Sequence, residues 1–324
     1  MNLKIFKNCI EYTQKNRPFI GLLYIFTLIA IMCLWQNPQN LIYLCIVCIL
    51  LLILFIDFCY FYKKRKFVLI KYNSFISTAC NQNLPEVFYK SFKIKQFHIN
   101  QSKFTKNNSI KQLNKSYKAL NGKINNFLKK YSNKNYTIGL CARCHIPFMF
   151  YLGCNLSTLQ VKLFETSRYG NKLNEINNKY QQFPLLKQEN HIIPKKDTLN
   201  LLISISTKID INDVPNISSF IELFLEDPHF DAILCSKQLD DYAHKFFKIL
   251  NDCQKNKIKR INLFYAGPMS LAFRLGQIVK PTIHPDIYVY NFSNTDNPNY
   301  GWALKLSSNF TYDNIEDYRD NKNV

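Results

Sequence analysis

Two stretches of this chain carry the same local pattern, Leu140–Gly153 (LCARCHIPFMFYLG) and Leu263–Gly276 (LFYAGPMSLAFRLG), and that repetition constrains the fold more than any single motif. Superposed, they pair Leu140 with Leu263, Phe150 with Phe273, Leu152 with Leu275 and Gly153 with Gly276. Their surroundings repeat too. Each follows an amphipathic stretch headed by Lys-Gln-Leu (Lys111–Leu113, Lys237–Leu239). Each precedes a strand-like run (Val161–Phe164, Ile287–Phe292) and a Tyr-Gly pair (Tyr169-Gly170, Tyr300-Gly301). A repeat longer than one hairpin predicts two related lobes packed about a pseudo-twofold, with one site between them.

The amino-terminal part reads differently. Residues 1–18, expected to be a cytoplasmic N-terminal segment, precede two apolar runs, Phe19–Gln36 and Leu41–Tyr62, the second charged only at Asp57 and the two separated by Asn37-Pro38-Gln39-Asn40. Each run is long enough, as a helix, to cross a hydrocarbon core of about 30 Å, which predicts a transmembrane hairpin over 19–62. Lys4, Lys7, Lys15 and Arg17 before it, and Lys63, Lys64, Arg65 and Lys66 after it, predict that both flanks face the cytoplasm. Asp57, near that basic tetrad, is expected at headgroup level.

The formal charge is +20, and residues 61–135 hold seventeen Lys or Arg against one acid, Glu86. Such a field attracts polyanions, whether anionic lipid, nucleic acid or a small phosphorylated ligand. The eleven cysteines form no spaced framework and read as reduced, mostly buried apolar residues. No P-loop, G-x-S-x-G or H-E-x-x-H occurs, and eight glycines leave no conventional phosphate-cradling loop, so the chain reads as a receptor without catalytic residues, metal or cofactor.

Periodicity predicts a helix over Ser109–Tyr131, with Leu113, Tyr117, Leu120, Ile124, Phe127 and Leu128 on one face. Strands are expected at Phe67–Lys71, Tyr136–Ala142, Val161–Phe164, Leu199–Ile205, Ala232–Cys235, Ile261–Tyr265, Ile287–Phe292 and Trp302–Leu306. Helices are expected at Ile146–Gly153, Ile217–Leu225, Leu239–Leu250 and Met269–Val279. Asn81–Lys106 shows no clear period. Alternating strands and helices predict parallel sheets, a Rossmann-like architecture in two copies: a first lobe over 63–196, a second over 197–310, and an acidic mobile tail over 311–324.

Phe264–Phe292 (FYAGPMSLAFRLGQIVKPTIHPDIYVYNF) and Tyr300–Leu306 (YGWALKL) resemble the SAVED domain of prokaryotic antiphage signalling systems, through the strand-Ala-Gly/Pro-helix pattern, the LAF-LG signature, the His-Pro before the next strand and the Tyr-containing end strand. The first-lobe match, Ile138–Gly153, is weaker. The resemblance implies two fused CARF-like lobes forming a pseudo-dimer that binds a cyclic oligonucleotide, most often a trinucleotide, made by a partner nucleotidyltransferase. With the apolar hairpin, it implies a transmembrane effector of a CBASS system in the bacterial inner membrane, which assembles head to tail on its ligand and disrupts that membrane.

In open parallel sheets ligands lie beyond the carboxyl ends of the strands, where free N–H groups and helix dipoles suit phosphates. That places candidates at Arg143 and His145 in one lobe and Ala266, Gly267 and Pro268 in the other, Arg143 being able to hold a phosphate bidentately. Thr166, Arg168, Tyr169, Thr207, Lys208, Lys237, Asn291, Phe292 and Tyr300 are expected on the same surface. Hydroxyls and amides there would read base edges, cations offset phosphate charge and aromatic rings stack on purines. Other readings stay open: a membrane-tethered nucleic-acid binder acting through the basic stretch, an anchored structural protein, and a redox or metal sensor at Cys141 and Cys144. Cys141–His145 also fits the C-x-x-C-H haem-attachment spacing, which a cytoplasmic segment at a buried strand end disfavours.

Overall fold

The computed structural model describes residues 49, 65–75, 82–103, 109–132, 135–166, 172–177, 182–191, 197–215, 217, 219–307 and 311–319. The chain divides into two compact units, Met1–Lys64 and Arg65–Val324, and the second carries the fold described below.

Its first sheet is built from β1 (Arg65–Asn73), α1 (Glu86–Ser91), β2 (Phe92–Asn100), α2 (Ile110–Tyr131), β3 (Tyr136–Arg143), α3 (Ile146–Asn155), β4 (Val161–Thr166) and β5 (Leu173–Glu175). The strand order is β2-β1-β3-β4-β5, parallel throughout except for the antiparallel β4–β5 pair. Next come β6 (Lys187–His191), β7 (Thr198–Ser204), β8 (Phe220–Phe224), α4 (Ser236–Lys255), β9 (Arg260–Ala266), α5 (Met269–Ile278), β10 (Asp286–Asn291), β11 (Trp302–Lys305) and β12 (Ile315–Asp317). These strands order as β12-β11-β10-β9-β7-β8-β6. Within that sheet the run β8-β7-β9-β10-β11 repeats the first sheet position by position, with the same parallel pairs and the same antiparallel last pair. The hydrogen-bond register repeats as well: Asn73 opposes Arg143 in one sheet and Ser204 opposes Ala266 in the other. Beyond those pairs the Ser74 N–H donates to the Arg143 carbonyl (3.0 Å), and the Ile205 N–H donates to that of Ala266 (2.8 Å).

The repeated glycines explain how the halves meet. Helices α3 and α5 pack against one another, and both bury nearly their whole circumference, as a helix does when it is enclosed by protein on all sides. A Cβ on Gly153 would collide with the Phe273 carbonyl oxygen, and a Cβ on Gly276 would collide with that of Phe150. Residue i of one repeat touches residue j of the other and the reverse, which is the signature of a twofold contact. Gln277 adds amide hydrogen bonds to the Leu156 and Leu159 carbonyls (3.1 and 3.0 Å). One continuous apolar core runs through both sheets, from Val68 and Ile70 to Trp302 and Leu304.

Several expectations are corrected. Ile217–Leu225 is not a helix: its apolar centre is β8, between β7 and β6, because a short apolar run satisfies helix and strand spacing alike and the sheet neighbours decide. Ala232–Cys235 is loop, and the featureless 81–106 region supplies α1 and β2, whose alternating, half-exposed edge pattern gave little hydrophobic signal. In the acidic tail, residues 311–319 add a turn of 3₁₀ helix and β12. That strand is held by an Arg260–Glu316 ion pair of 2.6 Å, and Asn314 donates to the Tyr117 hydroxyl of α2 (2.9 Å).

The expected transmembrane hairpin and the inner-membrane location are also corrected. Among the described residues no helix is long and apolar enough to cross a membrane. The two spans, 19–36 and 41–62, lie outside the described residues apart from position 49, and so do Lys63 and Lys64. Arg65 and Lys66 are the exposed first residues of β1. An apolar run reports a preference for leaving water, and it does not by itself specify which apolar surroundings receive it.

Candidate functional site

The carboxyl ends of β3, β4, β7 and β9 open onto one cleft of 1140 Å³, lined from both sheets. Arg143 stands exposed at the end of β3 and Lys208 exposed in the loop after β7. That loop is pinned because the Ser206 N–H joins the Ile205 N–H on the Ala266 carbonyl (2.9 and 2.8 Å), fixing where Thr207 and Lys208 begin. Gly267 allows the β9–α5 turn to lie flat against Tyr265. A Cβ there would come within 2.6 Å of the Tyr265 hydroxyl, which donates to the Pro268 carbonyl at 2.7 Å.

Of the residues expected from sequence, Arg143, Thr166, Thr207, Lys208, Ala266, Gly267, Pro268, Phe292 and Tyr300 line this cleft. Phe292 keeps 45% of its surface exposed, whereas Tyr300 is buried and packs edge-on against Phe292 (5.3 Å) and Phe264 (4.9 Å), so it supports the Phe292 ring from beneath. Lys237 is exposed on the first turn of α4, away from the cleft lining, and Asn291 is buried with its amide on the Phe292 carbonyl (3.3 Å). Arg168 and Tyr169 lie outside the described residues. Cys141 and Cys144 are buried in the core, and among the described residues no group of His, Cys, Asp and Glu is arranged to hold a metal ion.

His145 does not reach the cleft. It is 6% exposed, its ring set against Phe75 (4.7 Å), Trp302 (5.9 Å) and Phe148 (6.1 Å), and its Nε2 has no hydrogen-bond partner among the described residues. Burial pushes its pKa down to about 4. A neutral imidazole is therefore the folded form, while the unfolded chain takes up a proton below its ordinary value of about 6.5. Stability is fully present above that value and is lost as pH falls towards 4, by about 3 kcal/mol from this group alone. The expected result is that urea midpoints of His145→Phe fall less than those of the parent between pH 7 and pH 4.5; equal slopes would place the acid sensitivity elsewhere.

Sequence reading missed several cleft residues. Phe230, 57% exposed in the loop before α4, presents a second aromatic ring. Among the described residues, five carboxylates also line the cleft: Glu165, Glu175, Asp210, Asp213 and Asp231. Glu165, at the end of β4, accepts a hydrogen bond from the Ser270 N–H in the first turn of α5 (3.1 Å), so a carboxylate from one sheet caps a helix of the other. Burial pushes the Glu165 carboxyl up, Ser270 opposes this by hydrogen bonding, and the Asp231 carboxylate adds to the rise. No motif marks these positions. They become neighbours only when the second lobe folds against the first.

A family model described as "SMODS-associated and fused to various effectors sensor domain", SAVED, matches residues 120–306. The chain belongs to the SAVED family. Its description is that of a sensor, and the match spans the doubled α3 and α5 elements and most of the cleft. Among solved structures, this SAVED chain is similar to the Acinetobacter baumannii Cap4 SAVED/CARF-domain receptor with the cyclic trinucleotide 2'3'3'-cAAA. There the identity is 13% and the TM-score 0.49, over 81% of this chain and 55% of the other. The same receptor with 3'3'3'-cAAA gives 16% and 0.46 over 74% and 51%, and the Moraxella osloensis Cap4 receptor 14% and 0.45 over 75% and 49%. The SAVED chain thus spans about half the length of these receptors. No curated protein matches it.

Proposed function

We propose that this SAVED chain is a receptor for a cyclic oligonucleotide, a cyclic trinucleotide in the first instance, made by a cognate nucleotidyltransferase of a CBASS antiphage system. The carrying observation is the cleft itself. One cavity of 1140 Å³ joins two cations, Arg143 and Lys208, to two exposed aromatic rings, Phe230 and Phe292, at the strand ends of two repeated sheets. Phosphates on the cations and bases on the rings are the complement that such a lining selects. The cyclic trinucleotides in the Cap4 receptor structures carry both groups, phosphates and bases, that this lining would meet. The chain acts by binding and not by catalysis, and ligand-driven head-to-tail association is the output, since it needs only greater affinity for the assembled state. Long nucleic acid is not the ligand in this reading.

The test is calorimetry and sedimentation of the full chain against cyclic di-, tri- and tetranucleotides, with long RNA as a comparison. One ring should bind and speed sedimentation. Binding of long RNA alone, falling steeply with salt, would favour the nucleic-acid reading that the basic 61–135 stretch suggested.

A further inference from the structure

We infer that Glu165 selects a ring containing guanine: its carboxylate, fixed at the first turn of α5 by the Ser270 N–H, receives the adjacent N1–H and N2–H donors of one base. The inference rests on the cyclic-oligonucleotide reading above and specifies the ligand of that same cleft.

The argument starts from charge. Around a cavity proposed to hold three phosphates, the described lining residues include five carboxylates and only two cations. A carboxylate beside phosphates is repelled by them and is tolerated only where it faces hydrogen-bond donors. Four of the five each accept from a donor. Glu175 takes the Lys162 ammonium (2.5 Å), Asp210 the Asn212 N–H (2.9 Å) and Asp213 the Asn299 amide (2.7 Å). Glu165 has the Ser270 N–H on one oxygen, and an ionised carboxylate offers about four lone-pair sites across two oxygens.

Glu165 differs in being held and shielded, whereas Glu175 is matched by a cation and Asp210 and Asp231 are exposed. Glu165 sits at the end of β4 with a backbone donor holding one oxygen, so it is oriented before a ligand arrives, whereas Asp231 lies exposed on the loop leading to α4. Its poorly solvated charge, with Asp231 nearby, gains from any donors delivered to it.

Among the four bases only guanine presents two donors side by side, N1–H and the 2-amino group. Adenine offers one amino group flanked by acceptors, cytosine one amino group beside its N3 acceptor, and uracil one N–H between carbonyls. A fixed acceptor-only group therefore prefers guanine, and an all-adenine ring would set an acceptor against it.

The experiment is calorimetry on the full chain with three cyclic trinucleotides: all-adenine, one guanine replacing an adenine, and one inosine at that same position. Inosine keeps N1–H and lacks the 2-amino group. The expected result is about tenfold tighter binding of the guanine ring than of the all-adenine ring, most of it lost with inosine. In Glu165→Gln the guanine preference should vanish, the all-adenine ring gaining because no carboxylate opposes its acceptor, and Asp231→Asn should keep the preference. Equal or tighter binding of the all-adenine ring by the parent chain, or a preference that survives Glu165→Gln, overturns the role of Glu165 and leaves the receptor reading standing. If no ring binds, the receptor reading falls and this inference with it. Should Glu165→Gln not fold, the inosine comparison on the parent chain decides the matter.

Discussion

Alanine at Gly153 is expected to lower the stability of the folded unit by about 3 kcal/mol, and valine there to prevent accumulation of folded protein altogether. The added Cβ meets the Phe273 carbonyl oxygen, and the neighbouring Gln277 N and Gly276 Cα are already 3.1 Å from the same point, so backbone of α5 would have to move rather than a flexible side chain. Gly276→Ala should cost a similar amount because it meets the Phe150 carbonyl by the reciprocal contact. The internal comparison is Gly122→Ala in α2. Nothing lies within 4 Å of a Cβ there, and helix propensity predicts a gain of about 1 kcal/mol. Urea unfolding of the three variants checks this: a Gly153→Ala midpoint at or above that of the parent would mean that the α3–α5 contact does not hold the two sheets together.

The second large effect falls on binding. Arg143→Ala should weaken the cognate ring by about 2 kcal/mol, a charge-assisted pair lost from an exposed position. Phe230→Ala and Phe292→Ala should each remove one stacking surface, ~1–3 kcal/mol per base. Since Arg143, Phe230 and Phe292 come from different segments of the cleft, their losses should roughly add, and the triple variant should show no binding by calorimetry while keeping the parent's melting temperature. Phe292 rests on the buried Tyr300 and both Phe rings are already half exposed, so truncating them removes little core. A triple variant that binds as the parent does would place the ligand outside this cleft.

How much of this was legible beforehand depends on the range of the interaction concerned. The α2 stripe of Leu113, Tyr117, Leu120, Ile124 and Phe127 reads as an amphipathic helix because its periodicity is written in neighbouring residues, and these side chains are buried along one face. The strands β3, β4, β7, β9, β10 and β11 were visible as short apolar runs bounded by turn residues. β8 was misread because Phe220–Phe224 has no local feature that separates strand from helix, and β2 was missed because an exposed edge strand has no continuous apolar face. At the site, Arg143, Lys208, Gly267 and Phe292 could be named from the rule that ligands gather at strand ends. Phe230, Glu165 and Asp231 could not, since nothing local distinguishes a loop phenylalanine or a strand-end carboxylate that faces a cleft from one that faces solvent.

The apolar runs of the amino terminus show the limit of composition in another way: hydrophobicity states what a segment avoids and leaves its surroundings open. By itself the sequence determined the doubled lobe, through Leu140–Gly153 and Leu263–Gly276. That feature rests on short-range patterning and on glycines that a close helix contact requires. Only the tertiary structure decided that Gly153 meets Phe273 while Gly276 meets Phe150, that Glu165 reaches across to cap α5, and that His145 is walled into the core instead of facing the cleft. Each of these depends on residues far apart along the chain coming within bonding distance, and such distances are settled when the two sheets pack together.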